Sequence, residues 1–411
     1  MSLALVAATL PPMAAQADDQ GWGTLNGLVN APPWLDLGLN LTAEPLGNPA
    51  GGTSQSAAWI QQLTFDVEAS AGLGKERAQW SEFDHWKVHA QLMLFSGDPF
   101  LNETIGAAFP LQTAAHPVGL WPTELSLQRS RGDGPLFVKA GIISVNPTFI
   151  EAPAYDSYIH SALNNTLNAL VVGLPINPFT APGVAAHLTT GESSELRFGA
   201  FLLGEENAIA SVFGVNPMQP KPEGNLQLVQ WNLKQLPGSK AVEAPIPTPN
   251  GPVQRQLPTP LLQIGGIRAN TSLESPDAGS IGAGENWGAY GSLTLPVQLP
   301  LALDHRIWIS GRVGFNPQNN PAPTYFGVGW LGQGVIPGRP VDVMALGFGR
   351  TSFSPAITPS SSYEAVVELN YNYTVNSNLS LQPLVQWIVN PGGMGTTPGI
   401  FATGLQLTLQ F

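Results

Sequence analysis

Residues 404–411 read GLQLTLQF, and with Phe401, Ala402 and Thr403 before them they alternate strictly between apolar and polar or small side chains up to a final aromatic. Successive side chains of a β-strand point to opposite faces. Phe401, Thr403, Leu405, Leu407, Leu409 and Phe411 therefore share one face, and Ala402, Gly404, Gln406, Thr408 and Gln410 the other. One face suits hydrocarbon and the other suits water.

The period of two continues upstream. YEAVVELNYNYTV (363–375) sets Tyr363, Ala365, Val367, Leu369, Tyr371, Tyr373 and Val375 against Glu364, Val366, Glu368, Asn370, Asn372 and Thr374. Asn376-Ser377-Asn378 predicts a tight polar turn before the next alternating run, LSLQPLVQWIV (379–389). HRIWISGRVGF (305–315) places Arg306, Trp308, Ser310 and Arg312 on one face, and NWGAYGSLTLPVQL, WKVHAQLMLF and WLDLGLNLTA read in the same way. Connections alternate in length, NSN being short and SFSPAITPSSS and NPGGMGTTPG long, as in outer-membrane barrels.

Composition narrows the class. Only 11% of the 411 residues are charged, against about a quarter in ordinary soluble domains, yet mean hydropathy is +0.06. No run of eighteen apolar residues predicts a membrane helix. The 45 Gly and 39 Pro disfavour helices and fit many strands joined by turns. The chain contains no Cys, which excludes disulfides, thiolate metal sites and Cys nucleophiles. A net charge of -12 and a pI near 4.8 argue against a nucleic-acid partner.

The expected fold is all-β, a transmembrane antiparallel barrel. A soluble β-sandwich shares the period, but Tyr371, Tyr373, Trp387 and Trp287 fall near strand ends, where aromatic rings meet lipid headgroups. The opposite faces carry Gln, Asn, Ser, Thr and scattered charge, as a wet lumen requires. A barrel in lipid must pair every edge, so the last strand is expected to close it. Residues 1–17, MSLALVAATLPPMAAQA, end in a small-x-small pattern before Asp18 and Asp19 and read as the remnant of a signal peptide without its basic region. Residues 18–411 then form one barrel domain. Roughly 25 residues per strand and connection suit sixteen strands, and eighteen also fit.

Several stretches, taken in order, resemble the carbohydrate-selective porins of the OprB type from Gram-negative outer membranes, including those of cyanobacteria. They are LGLNLTAEPLGNPAGG, LWPTELSLQR, VKAGIISVNPTFIEAPAYDSYIHSALNN, AAHLTTGESSELRFGAFLLG and YEAVVELNYNYTVNSNLSLQPLVQWIVNPGG. The resemblance implies a 16-stranded barrel with in-folded loops, small sugars as solutes, and recognition of the terminal Phe411 by the barrel-assembly machinery. Many cyanobacterial relatives carry an N-terminal segment that anchors the barrel to the cell wall. This chain enters barrel sequence soon after residue 20 and is expected to lack it.

A sugar channel needs polar groups and aromatic faces at a constriction, with charges of both signs. Strand parity points Glu124, Lys139, Glu195, Arg197, Arg306, Arg312, Glu364 and Glu368 inward. Arg306 and Arg312, with Trp308 between them, are the leading constriction candidates, because a guanidinium offers forked donors to vicinal hydroxyls. For each charge the plainer reading is a wetted wall. The non-alternating segment NPTFIEAPAYDSYIHSALNNT either folds into the pore, carrying Glu151, Tyr155, Asp156, Tyr158 and His160, or lies over the mouth.

Catalytic signals are weak, and no enzyme activity, cofactor or metal is expected. His85 and His89 share a strand face without a third ligand at a recognisable spacing. GAGENWG lacks a βαβ context and reads as a strand start, no G-x-S-x-G occurs, and Arg131-Gly132-Asp133 fits a hairpin turn. The sequence therefore supports an outer-membrane porin for small hydrophilic solutes. A general or cation-preferring porin is the first alternative, and a barrel enzyme or a secreted β-rich binding protein the second. Outer-membrane lipid and small sugars or ions are the expected partners; a homotrimer is compatible with the sequence, which does not fix the oligomeric state.

Overall fold

A computed structural model describes residues 22–70, 72, 79, 85–130, 135–146, 148–150, 152–164, 174–176, 178–203, 224–234, 246–248, 251–253, 257–258, 260–271, 284–300, 304–356 and 360–411. The expected signal segment, Glu151 and Arg131-Gly132-Asp133 lie outside these residues.

Each alternating run folds as a strand. The strands are β1 (Leu35–Ala50), β2 (Ala57–Ala69), β3 (Trp86–Gly97), β4 (Gly119–Ser130), β5 (Leu136–Ile143), β6 (Ala181–Thr189), β7 (Ser194–Leu203) and β8 (Gly224–Leu233). After a small hairpin, β9 (Ile246–Thr248) and β10 (Gly251–Val253), come β11 (Leu261–Thr271), β12 (Gly284–Pro296), β13 (Asp304–Gly314), β14 (Thr324–Gln333), β15 (Val343–Ser352), β16 (Tyr363–Thr374), β17 (Leu379–Val389) and β18 (Ile400–Gln410). All but the hairpin join one closed antiparallel barrel of sixteen strands. No described helix is long and apolar enough to cross a membrane; the barrel crosses with strands.

The terminal alternation closes the ring. β18 pairs with β17 through Leu379↔Leu409 to Ile388↔Ile400, and with β1 from Asn40↔Gln410 to Ala50↔Phe401, with a register shift between Gly47 and Ala50. Phe411 completes the seam: its N–H donates to Leu39 O (2.8 Å), and Leu39 N–H donates back to Phe411 O (3.2 Å). No edge backbone is left to face hydrocarbon at this seam.

Burial follows parity. Ile309, Phe326, Leu346, Leu369 and Trp387 are exposed on the outside, while Trp308, Ala345, Glu368 and Ala402 are buried inside. Trp59, Trp287 and Trp387 cluster toward one rim, and Trp34, Trp86 and Tyr373 toward the other, which also receives the start of β1 and the end of β18. These are the two aromatic belts of a membrane barrel. Connections at the terminus-bearing rim include the tight turns 190–193 and 375–378, where Asn378 N–H donates to Asn376 Oδ1 (2.9 Å). The β8–β11 connection breaks the rule, since it is long and contains the β9–β10 hairpin.

The described residues of two long connections at the opposite rim turn inward. One (98–118) joins β3 to β4 and includes α1 (Leu101–Ile105); the other (144–180) joins β5 to β6 and includes α2 (Ser161–Asn164). Their apolar side chains, among them Leu111, Tyr155, Tyr158 and Leu163, form one cluster with inward residues Trp308, Leu331, Ala345, Ile388 and Ala402. The wall makes room for them with glycine. A Cβ at Gly329 would sit 2.4 Å from Tyr158 Oη, and one at Gly347 would sit 2.6 Å from the Tyr158 ring. The inward glycines of FGVGWLG and ALGFGR thus form a notch that seats Tyr158.

Candidate functional site

The inserts are held by carboxylates of the wall. On β16, Glu364 accepts from the N–H groups of Ala108 (2.7 Å), Phe109 (3.2 Å) and Gly392 (2.7 Å). Four residues further along the same strand face, Glu368 accepts from Ile159 N–H (2.9 Å), His160 N–H (2.7 Å), Asn370 Nδ2 (2.7 Å) and Gln386 Nε2 (3.0 Å). On β1, Glu44 accepts from Ala114 N–H (2.9 Å), Thr113 Oγ1 (2.5 Å) and Gln406 Nε2 (2.6 Å). All three carboxylates are buried, and none forms an ion pair with a described cation. Convergent N–H donors replace the lost hydration. The two inserts also bond each other through Ser161 N–H and Pro110 O (3.1 Å).

The sequence candidates occupy several separate settings. Tyr158 is fully buried; its hydroxyl accepts from Trp308 Nε1 (2.9 Å) and donates to Leu346 O (3.1 Å). Tyr155 meets the Trp308 ring edge-on at 5.3 Å. Asp156 is exposed, whereas His160 is fully buried, and burial pushes its imidazole down to about 3, so it is neutral at physiological pH. Trp308 and Arg306 point inward as parity requires but are 0% and 2% exposed, covered by packed loop residues rather than facing open space. Arg306 bonds Pro258 O (2.8 Å), His305 O (2.9 Å) and Asp304. Arg312 lies 5.2 Å from the Tyr325 ring centroid.

The other charged candidates sit across the lumen on β2 to β8. Glu124 bonds Lys139 (2.6 Å) and His89 (2.9 Å), and His89 also reaches Asp66 (3.2 Å). Below them Lys87 pairs with Glu68 (2.5 Å), and Glu195 holds Arg197 and Lys234, the latter at 2.7 Å. His89 is thus engaged by carboxylates on both of its ring nitrogens. Among the described residues no group of three or more His, Asp or Glu side chains is placed to hold a metal.

Between the inserts and the wall of β1–β3 and β18 lies a cavity of about 260 Å³ that opens to solvent. Thr42, Gln62 and Gln406 line it from the barrel, Gln112, Thr113 and His116 from the first insert, and Asn146, Ser161 and Asn164 from the second, with Met93 and Phe95 beside them. Burial pushes the His116 imidazole down, so it too is uncharged at neutral pH. The described lining therefore carries amides, hydroxyls and an aromatic face, but no net charge.

These waist residues were not singled out from sequence, because Thr42, Gln62 and Gln406 look like ordinary wall positions. The first insert did carry a signal: GDPFLNETIGAAFPLQTAAHPVG lacks alternation and separates two clear strands. Glu44, a lone acid within apolar LTAEPLG, was a second.

A closed sixteen-strand barrel with in-folded loops over a polar waist is the architecture of a porin. The sequence pattern of the family described as carbohydrate-selective porin, OprB family, matches residues 65–411. The chain belongs to that family. It is an outer-membrane porin, a channel for carbohydrates. The match begins after LGLNLTAEPLGNPAGG (37–52), so that stretch does not contribute to it. Pseudomonas putida OprB in its high-pH structure is similar in fold at 16% identity, with a TM-score of 0.74 over 94% of this chain and 96% of that one. Its low-pH structure aligns at 13% identity, with a TM-score of 0.56 over 94% and 95%. No curated protein sequence matches the chain.

Proposed function

We propose that sugars cross this porin through the uncharged waist between the two inserts and the β1–β3 wall, and then descend past the paired charges of β2–β8. The observation that carries this is the lining itself. Amide and hydroxyl groups of the partly exposed Thr42, Gln62, Asn146 and Asn164 can exchange hydrogen bonds with sugar hydroxyls. Acids and bases on the β2–β8 wall neutralise one another in pairs, which removes the strong single-sign field an ion-selective pore needs. On this reading Arg306, Trp308 and Arg312 support the inserts rather than touch the solute, and Glu364 and Glu368 fix the inserts in place. Tyr155, Tyr158 and His160 act as packing groups of the second insert.

The test is a single-channel recording in planar bilayers with added maltose or maltotriose. Saturable block, together with a reversal potential near zero in a potassium chloride gradient, is the expected result. A strongly cation-selective current indifferent to sugar would favour the cation-preferring alternative. Closures in threes would support a homotrimer. We further read residues 1–17 as an export leader, residues 18–411 as one barrel domain, and Phe411, by the family resemblance, as a recognition point for the assembly machinery. The channel works as a passive conduit, with no catalytic step.

A further inference from the structure

The inward face of β13 presents two arginines in opposite circumstances. Arg306 is satisfied by Asp304 and two carbonyl oxygens. Arg312, six residues along, is 7% exposed and makes no hydrogen bond or ion pair with any described residue. Its Nε is buried without an acceptor, and its guanidinium rests against the ring of Tyr325, its register partner on β14. Two buried hydroxyls adjoin it, those of Tyr325 and of Ser310, the latter two residues away on the same strand face; they face each other, and neither meets a further described partner.

A buried guanidinium loses far more hydration than the face of one tyrosine returns. The carboxylates that could neutralise it are taken. Glu364 and Glu368 are filled by backbone N–H groups, Asp304 by Arg306, and Asp342 by Arg339 and Tyr371. From the remaining packed element, Tyr155 of the second insert brings a neutral ring against Trp308. A guanidinium and two hydroxyls able to turn their protons toward a shared acceptor therefore lie together, and no described carboxylate pairs with the cation.

We propose that Arg312, Tyr325 and Ser310 bind one small monovalent inorganic anion of halide size. An upper bound on size follows from burial: with Arg312, Tyr325 and Ser310 at 7%, 5% and 4% exposure, there is no room for a sugar acid, and the occupant can be no larger than about a water molecule. The site lies behind the second insert and away from the waist. It completes the charge balance of the wall on which Tyr155 and Trp308 pack, and it does not depend on where sugars pass.

The test is a crystal structure of the porin with sodium bromide, using anomalous scattering at the bromine edge. A bromide peak within hydrogen-bonding distance of the Arg312 guanidinium, absent in Arg312→Gln, is the expected result. An ordered Arg312 with no bromide beside it overturns the proposal, as does a peak that persists in Arg312→Gln. Thermal unfolding gives an independent readout, with a higher midpoint in chloride than in gluconate at equal ionic strength for the wild type and none of that difference in Arg312→Gln. Equal midpoints in the wild type would also overturn it. Should Arg312→Gln fail to fold, the double variant Tyr325→Phe with Ser310→Ala keeps the cation and removes two donors; it should lower bromide occupancy, and unchanged occupancy counts against the site.

Discussion

Replacing Glu364 and Glu368 together by alanine is expected to raise single-channel conductance by at least about twofold and to let longer oligosaccharides through. The argument rests on what these carboxylates hold. Between them they accept from the N–H groups of Ala108, Phe109, Ile159, His160 and Gly392, which belong to both inserts and to the loop between β17 and β18. Removing one partner of a buried charge-assisted bond costs roughly 1 to 3 kcal/mol per stranded donor. Five stranded donors exceed what packing against a glycine-lined wall can retain, so the inserts should leave the lumen. Liposome swelling with a series of maltodextrins reads the size limit, and heat-modified gel mobility checks that the barrel remains closed. Wild-type conductance and an unchanged size limit would show that the carboxylates do not latch the inserts.

The second large effect is expected at Trp308. Trp308→Ala should lower the stability of the folded porin by about 3 to 5 kcal/mol, the usual cost of emptying a fully buried aromatic site. Trp308 is 0% exposed, its indole N–H bonds the Tyr158 hydroxyl, and the rings of Tyr155 and Tyr158 meet it edge-on. The inward glycines beside it cannot collapse to fill the gap. Urea unfolding from detergent, compared with Trp387→Ala on the lipid face, separates the two environments: Trp387 is 48% exposed and should cost far less. Equal losses for the two variants would mean that the second insert is not packed on β13.

The barrel was readable in the sequence because its signal is local. Alternation at period two, the Asn376–Asn378 turn and the aromatic ends of strands depend on neighbours a few residues apart, and they led to a transmembrane barrel with a closing β18; chain length left sixteen or eighteen strands open, and the family resemblance favoured sixteen. The inserts were only half readable. Residues 146–166 stood out for lacking alternation, yet the choice between pore and mouth depended on Glu368 meeting His160, a pairing 208 residues apart. Alternate inward glycines in FGVGWLG and ALGFGR were a usable sign that something large packs against that wall. Parity correctly turned Arg306 and Arg312 inward, but parity does not say whether an inward side chain meets water or another segment. The loops decide that, and they cover this wall while leaving the β1–β3 wall open.

The absence of cysteine from the chain allows the most direct test. Single cysteines at Gln62 and at Trp308 would be treated during channel recording with a water-soluble methanethiosulfonate reagent. If solute crosses at the waist, Gln62→Cys should lose conductance on modification and be protected by saturating maltotriose, while Trp308→Cys should not react in the folded channel. Rapid, sugar-protected modification at Trp308→Cys with an inert Gln62→Cys would place the passage on the β13 wall and contradict the account.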